Sequence, residues 1–317
     1  MKKRLQVAIS AIFLTLFVQS AVAQNPAASY PNRVVKIIVP FSPGSLTDLL
    51  ARILSDKLGT MWKQPVIVEN YPGIAGTARA AKAPADGYTL LLISNGHTII
   101  KATNPNLSFD PISDFTGVSK LASMPTIMIA PLKEGHDSLE NLIRLSKSKP
   151  GGLSYASAGL NSSAYIAGEL FKKTEKLDVL HVPYKGTPDA QVSIMRGDTD
   201  FFFSPASMSD ALIKSGKVKA LAVTGTTRVS SLPDVPSFRE AGVPEYEYDA
   251  WFGLFAPANT SKEILEKISG DIAKVVTMPD VREQLAEQGT IVTSSTPTEF
   301  DATLRADTEL FTKMLRE

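Results

Sequence analysis

Residues 34–59 read VVKIIVPFSPGSLTDLLARILSDKLG. From Val34 to Val39 the run is β-branched except for Lys36, the pattern of a strand buried on both faces. Phe41-Ser42-Pro43-Gly44 punctuates it as a turn. Leu46, Leu49, Leu50, Ile53, Leu54 and Leu58 then recur at helical spacing, and Gly59 marks a stop. Strand, tight turn and helix in immediate succession form the unit from which parallel α/β sheets are built.

Outward from this unit the alternation repeats. Strands are expected at 65–69, 88–94, 126–130, 153–156, 179–182, 199–203, 221–224 and 251–256. Helices are expected at 77–83, 139–148, 164–174, 188–196, 208–215, 262–276, 279–288 and 298–313. No internal repeat, low-complexity segment or long linker interrupts the chain.

The N-terminus has a different character. Lys2, Lys3 and Arg4 precede an apolar stretch from Leu5 to Val18, and Ala21-Val22-Ala23 gives a small-x-small cleavage pattern. The apolar run is shorter than the roughly 20 residues of a spanning helix. Residues 1–23 are therefore expected to be a cleavable signal peptide, with the mature chain starting at Gln24 in the periplasm. The chain has 33 Lys+Arg and 32 Asp+Glu; removing the leader leaves 30 basic against 32 acidic residues. So small a net charge argues against a nucleic-acid or anionic-membrane partner. Zero Cys excludes disulfides, thiolate metal sites and a cysteine nucleophile.

Two places invite a ligand. Phe41-Ser42-Pro43-Gly44-Ser45 joins a strand end to a helix start, where unpaired amides and partial positive charge suit a carboxylate or phosphate. Ser45 with Asp48 resembles a capping box. Ser157-Ala158-Gly159-Leu160-Asn161-Ser162-Ser163 has the same layout. If two halves face each other, the two helix starts clamp one ligand. The alternative at each place is an ordinary capped helix with no ligand. No Walker or dinucleotide-binding loop occurs, and no cofactor is implied.

Catalytic signatures are absent. The three His (His97, His136, His181) have no metal-ligand spacing, and no G-x-S-x-G elbow occurs. His97 follows a strand and is a candidate for the cleft; His136-Asp137-Ser138 reads as a solvated loop; Trp251 and Phe252 read as core. A serine hydrolase would need a base near Ser162 or Ser163.

Six segments carry a resemblance. They are Val39-Pro40-Phe41-Ser42-Pro43-Gly44 with Asp48 and Ala51-Arg52; Val68 through Gly76; Asp86-Gly87-Tyr88-Thr89-Leu90; Val182-Pro183-Tyr184-Lys185-Gly186; Leu221 through Gly242; and Trp251-Phe252-Gly253-Leu254 with Ala256-Pro257. In order and over essentially the whole mature chain, they resemble the substrate-binding proteins of tripartite tricarboxylate transporters, the Bug receptors. That resemblance implies an α/β, two-lobed periplasmic binding protein (Venus flytrap), each lobe a mostly parallel sheet flanked by helices. It implies lobe 1 at 24–122 and 227–317, lobe 2 at 123–226, and a monomer that serves inner-membrane permease subunits. The ligand would be a small carboxylate: an aromatic dicarboxylate of terephthalate type, a citrate-like acid or an acidic amino acid. A ligand-sensing role is the alternative. Carried onto this sequence, the site comprises Phe41, Ser42, Gly44 and Ser45; Ser94 and Asn95; Ser157, Ala158, Gly159, Asn161, Ser162 and Ser163; Tyr184 with Lys185; and Ser204 and Pro205. Where the family usually has two glycines, this chain has Gly44-Ser45.

Overall fold

The computed structural model describes residues 26–316 apart from 105, 161, 226, 227, 230, 288 and 289. The expected leader and Asn161 lie outside the described residues. The β-branched run forms β1 (Val35–Val39), in which only Lys36 keeps contact with solvent. The leucine pattern forms α1 (Leu46–Trp62), which buries Leu46, Leu50, Ile53, Leu54 and Leu58. Then come β2 (Val66–Asn70), α2 (Ile74–Ala81), β3 (Thr89–Ser94), a 3-10 turn (Asn95–Ile99), α3 (Ile100–Thr103) and β4 (Phe115–Met124).

The chain then enters a second sheet through β5 (Thr126–Ala130), α4 (Leu139–Ser148), β6 (Leu153–Ser157), α5 (Ser163–Glu175), β7 (Val179–Pro183), α6 (Thr187–Arg196), β8 (Phe201–Pro205), α7 (Ala206–Lys214) and β9 (Lys219–Val223). It returns for β10 (Ala250–Pro257), α8 (Lys262–Val275), α9 (Pro279–Glu287), β11 (Ile291–Val292) and α10 (Pro297–Arg316). The six-stranded sheet has the order β11-β4-β10-β3-β1-β2 and the five-stranded sheet β7-β6-β8-β5-β9.

Both sheets are mixed, which corrects the expectation of mostly parallel sheets. β1 pairs parallel with β2 and β3, and β6 pairs parallel with β7 and β8. The strands at and after the crossings (β4, β5, β9, β10 and β11) pair antiparallel. The physical reason is that β5 and β10 enter their sheets directly from the other lobe, not through a βαβ crossover, and so run against the parallel set; β4 and β9 run with that set and pair antiparallel because these strands are inserted beside them.

Two hydrophobic cores follow the two sheets. Pro125 separates β4 from β5 and marks one crossing. The other lies near Asp249. Residues 228–248, assigned above to lobe 1, place Val229, Leu232, Val235, Phe238, Val243, Tyr246 and Tyr248 in the second core. At the crossings Thr224 N donates to Thr126 O at 2.9 Å, and Thr126 N donates to Thr224 Oγ1 at 3.1 Å. α10 spans both cores, with Phe300 and Leu304 in the first and Phe311 in the second. Among the described residues no helix is long and apolar enough to cross a membrane.

Candidate functional site

The loop after β1 is built by its own sequence. Gly44 takes φ +80°, a conformation that favours glycine. Ser45 then caps α1, its Oγ accepting from Asp48 N at 3.3 Å. The capping box is displaced by one residue: the Asp48 carboxylate accepts from Gly44 N at 3.0 Å, not from Ser45. Arg52 Nε (2.9 Å) and Asn70 Nδ2 (3.0 Å) complete its shell. Burial works against the charged carboxyl, yet these hydrogen bonds together hold Asp48 below the usual carboxylate range. Asp48 thus braces the loop and faces away from the cleft.

The loop after β6 is braced differently. Gly159 N donates to Ser157 Oγ at 3.0 Å, and Ser162 Oγ donates to Gly159 O at 2.6 Å. Ser162 Oγ also accepts from Tyr165 N at 3.2 Å and so caps α5. α6 starts after β7 at Gly186, and α7 starts after β8 at Pro205; neither has a side-chain cap.

Starts of helices from both lobes therefore meet. They enclose a cavity of about 20 Å³ lined by Phe41, Ser45, Leu46, Thr47, Ser94, Ala158, Ser162, Ser163, Ala164, Thr187, Phe202, Phe203, Pro205 and Phe252. None of these side chains is ionisable. The first amides of each helix have no carbonyl four residues back, so the available polarity is dipolar and positive. Thr47 is 3% exposed and Thr187 6%, one in each lobe. Neither hydroxyl makes a hydrogen bond among the described residues. A volume near that of one water is far below what a small diacid fills, so admission of such a ligand requires the lobes to part.

The lobes touch at few polar points. Ser42 N donates to Lys185 O at 3.3 Å, and Ser163 N donates to Ser94 Oγ at 3.2 Å. The Tyr248 hydroxyl lies 2.9 Å from Asn95 Oδ1 and 3.0 Å from Ser163 O, with one proton for two acceptors.

Of the expected site residues, Phe41, Ser45, Ser94, Ala158, Ser162, Ser163 and Pro205 line the cavity. Ser42, Gly44, Asn95 and Gly159 stand in the loops around it without lining it. Ser157 is fully buried in the loop brace. Ser204 accepts from Gln191 Nε2 at 3.2 Å inside the lobe. Tyr184 turns its hydroxyl away, to Ser193 Oγ at 2.8 Å, and lines a separate surface cavity with Lys185. Leu46, Thr47, Ala164, Thr187, Phe202, Phe203 and Phe252 were missed. Thr47 and Thr187 were within reach, because both occupy the first turn of a helix that follows a strand end. The larger cavity of about 860 Å³, which includes Lys120, Tyr248, Trp251 and Asp307, sits at the crossings and not at the helix starts.

The histidines also differ from expectation. His97 is fully buried among Phe115 and Phe255, with Nε2 2.7 Å from Pro111 O, and it does not reach the cleft. Burial pushes it down to about 4. His136 is 4% exposed and bonded to Asp200 at 3.0 Å, so it turns inward while Asp137 beside it stays exposed. His181 bonds Ser157, whose hydroxyl is buried, and among the described residues it makes no hydrogen bond to Ser162 or Ser163 as a hydrolase base would. Among the described residues no cluster of His, Asp and Glu is arranged to hold a metal.

Known proteins share this architecture. BugT of Bordetella pertussis (strain Tohama I) is 32% identical over 311 residues, which cover 95% of this chain and 95% of that protein. MatC from Rhodopseudomonas palustris, solved with bound malate, is 30% identical with a TM-score of 0.85 over 90% of this chain and 100% of that one. Rpa4515 of R. palustris, solved with adipate, is 28% identical with a TM-score of 0.84 over 90% and 97%. A family model described as tripartite tricarboxylate transporter family receptor matches residues 50–305. The chain belongs to the tripartite tricarboxylate transporter receptor family, a family of solute-binding receptors and not of enzymes.

Proposed function

We propose that the protein works in the periplasm, after cleavage at Ala23–Gln24, and captures a small carboxylate between its lobes for a tripartite tricarboxylate-type permease. The observation that carries this reading is the meeting of uncapped and capped helix starts from both lobes around an uncharged cavity. One carboxylate oxygen pair is received by the amides of α1 with Thr47, and the opposite lobe contributes the α5 and α6 starts with Ser163 and Thr187. Charge-assisted bonds of this kind contribute about 1.5–3 kcal/mol each. The aromatic side chains Phe41, Phe202, Phe203 and Phe252 receive the apolar body. No carboxylate lines the cavity to pair an ammonium, which favours plain mono- and dicarboxylic acids over amino acids. The relatives solved with malate and adipate support the same class.

A thermal-shift screen over carboxylic acids tests this. A ligand that binds only the folded state adds about 2.7 kcal/mol at 100 times its Kd. Stabilisation by at least one C4–C8 diacid or aromatic acid is expected. No shift with any carboxylate, alongside a shift with amines or sugars, would refute it.

A further inference from the structure

His181 lies outside the cavity, yet its imidazole is built into the loop that leads to α5. In the parallel register of β6 and β7, His181 stands opposite Tyr155. Its ring is held between Tyr155, with centroids 4.9 Å apart, and Tyr165 of α5 at 4.7 Å. Nε2 reaches Ser157 Oγ at 2.6 Å. The same oxygen accepts from Gly159 N at 3.0 Å. Gly159 O in turn accepts from Ser162 Oγ at 2.6 Å and Ser162 N at 3.1 Å. Ser162 caps α5 and lines the cavity. A continuous chain of hydrogen bonds thus runs from an imidazole to the helix start that faces the ligand.

Burial, not its charged neighbours, keeps that imidazole neutral. Glu169 and Lys172 of α5 face it with opposite signs, and they pair with each other at 3.0 Å. The Tyr155 hydroxyl lies 2.6 Å from Glu169 Oε1. Burial holds His181 down at about 4. Ser157 Oγ accepts from Gly159 N–H and lies 3.2 Å from Gly159 O, and a hydrogen bond whose direction follows the imidazole tautomer joins it to His181 Nε2.

We propose that His181 is a positioning residue: acting through Ser157, it fixes the 157–162 loop in the shape that aims the first amides of α5 into the cleft. This rests on the reading of the cleft as a carboxylate site. Ser157 is fully buried and triply engaged, so the pair is a brace and not a nucleophile with its base.

The test uses three variants of the full mature chain. His181→Phe keeps the ring stacking and removes the hydrogen bond; His181→Gln restores an amide that reaches Ser157; Ser157→Ala removes the middle of the chain. Calorimetric titration uses malate and adipate as probes, and amide hydrogen exchange is read without ligand. His181→Phe is expected to weaken binding about tenfold, and to speed exchange at Gly159 and Tyr165 about tenfold, the worth of one such bond. His181→Gln should return both to within about threefold. The His181→Phe, Ser157→Ala pair should do no more than either change alone, as members of one network do. Unchanged exchange at Gly159 and Tyr165 in His181→Phe, or full additivity of the pair, overturns the proposal. If the parent protein binds neither acid, the carboxylate reading is what suffers, and the exchange measurement still decides the role of His181.

Discussion

Gly186 shows how one residue governs contact between the lobes. Its backbone is extended, with φ 179°, which any residue adopts. The requirement is space: an added Cβ would lie 2.0 Å from Ser42 Oγ in the opposite lobe. That clash exists only when the lobes meet. Overpacking costs about 1–3 kcal/mol, so Gly186→Ala should weaken carboxylate binding about 5- to 150-fold. Ser42→Gly in the same chain should restore much of the loss, as read by calorimetric titration; equal affinity in Gly186→Ala and parent would show that the loops do not meet in the bound form. Ser45 is a second case. From sequence it is both a capping-box residue and a ligand contact; in the structure its hydroxyl caps α1 and the residue lines the cavity. Its role was half legible, because the cap is local and the opposite wall of the cavity is not.

Among the elements, α1 depends on a brace assembled from three segments: Asp48, Asn70 at the end of β2, and the Gly44 amide. Asp48→Asn replaces an acceptor with a donor that faces Gly44 N–H and Arg52. A loss of about 2 kcal/mol is expected in urea melts, together with weaker ligand binding. Stability unchanged by this substitution would mean that the brace carries no energy. Strands with β-branched runs and helices with serine caps were readable because those signals lie within ten residues. β4 was not recognised. Its Ser119 and Ser123 are buried, and Ser119 Oγ accepts from Ser295 N at 3.1 Å, a partner 176 residues away. Antiparallel insertion of β10 between β3 and β4 is long-range in the same way. The second crossing was misplaced because 228–248 has no regular periodicity, although its aromatic residues complete the second core.

At the scale of the whole molecule, protons couple to folding through two histidines, His97 fully buried and His181 half-buried. His97 and His181 ordinarily titrate near 6.5 and are held at about 4 in the folded protein. The unfolded chain therefore binds more protons between these values. Stability is fully present above about 6.5 and declines as pH falls toward 4. For His97, which is fully buried, the difference is worth up to about 3 kcal/mol. Urea melts at pH 7 and pH 4.5 should show the decline, and a His97→Phe chain should show a shallower one; equal slopes would remove His97 from the account. On the proposed reading, function at this scale is closure of two lobes on an anion held by amides and hydroxyls; no cationic side chain lines the cavity. The most direct measurement is a calorimetric titration with the acid that gives the largest thermal shift, set against its neutral amide. The acid is predicted to bind at least about 100-fold more tightly, the worth of one to two charge-assisted bonds. Equal affinity of acid and amide would contradict a cleft built for a carboxylate.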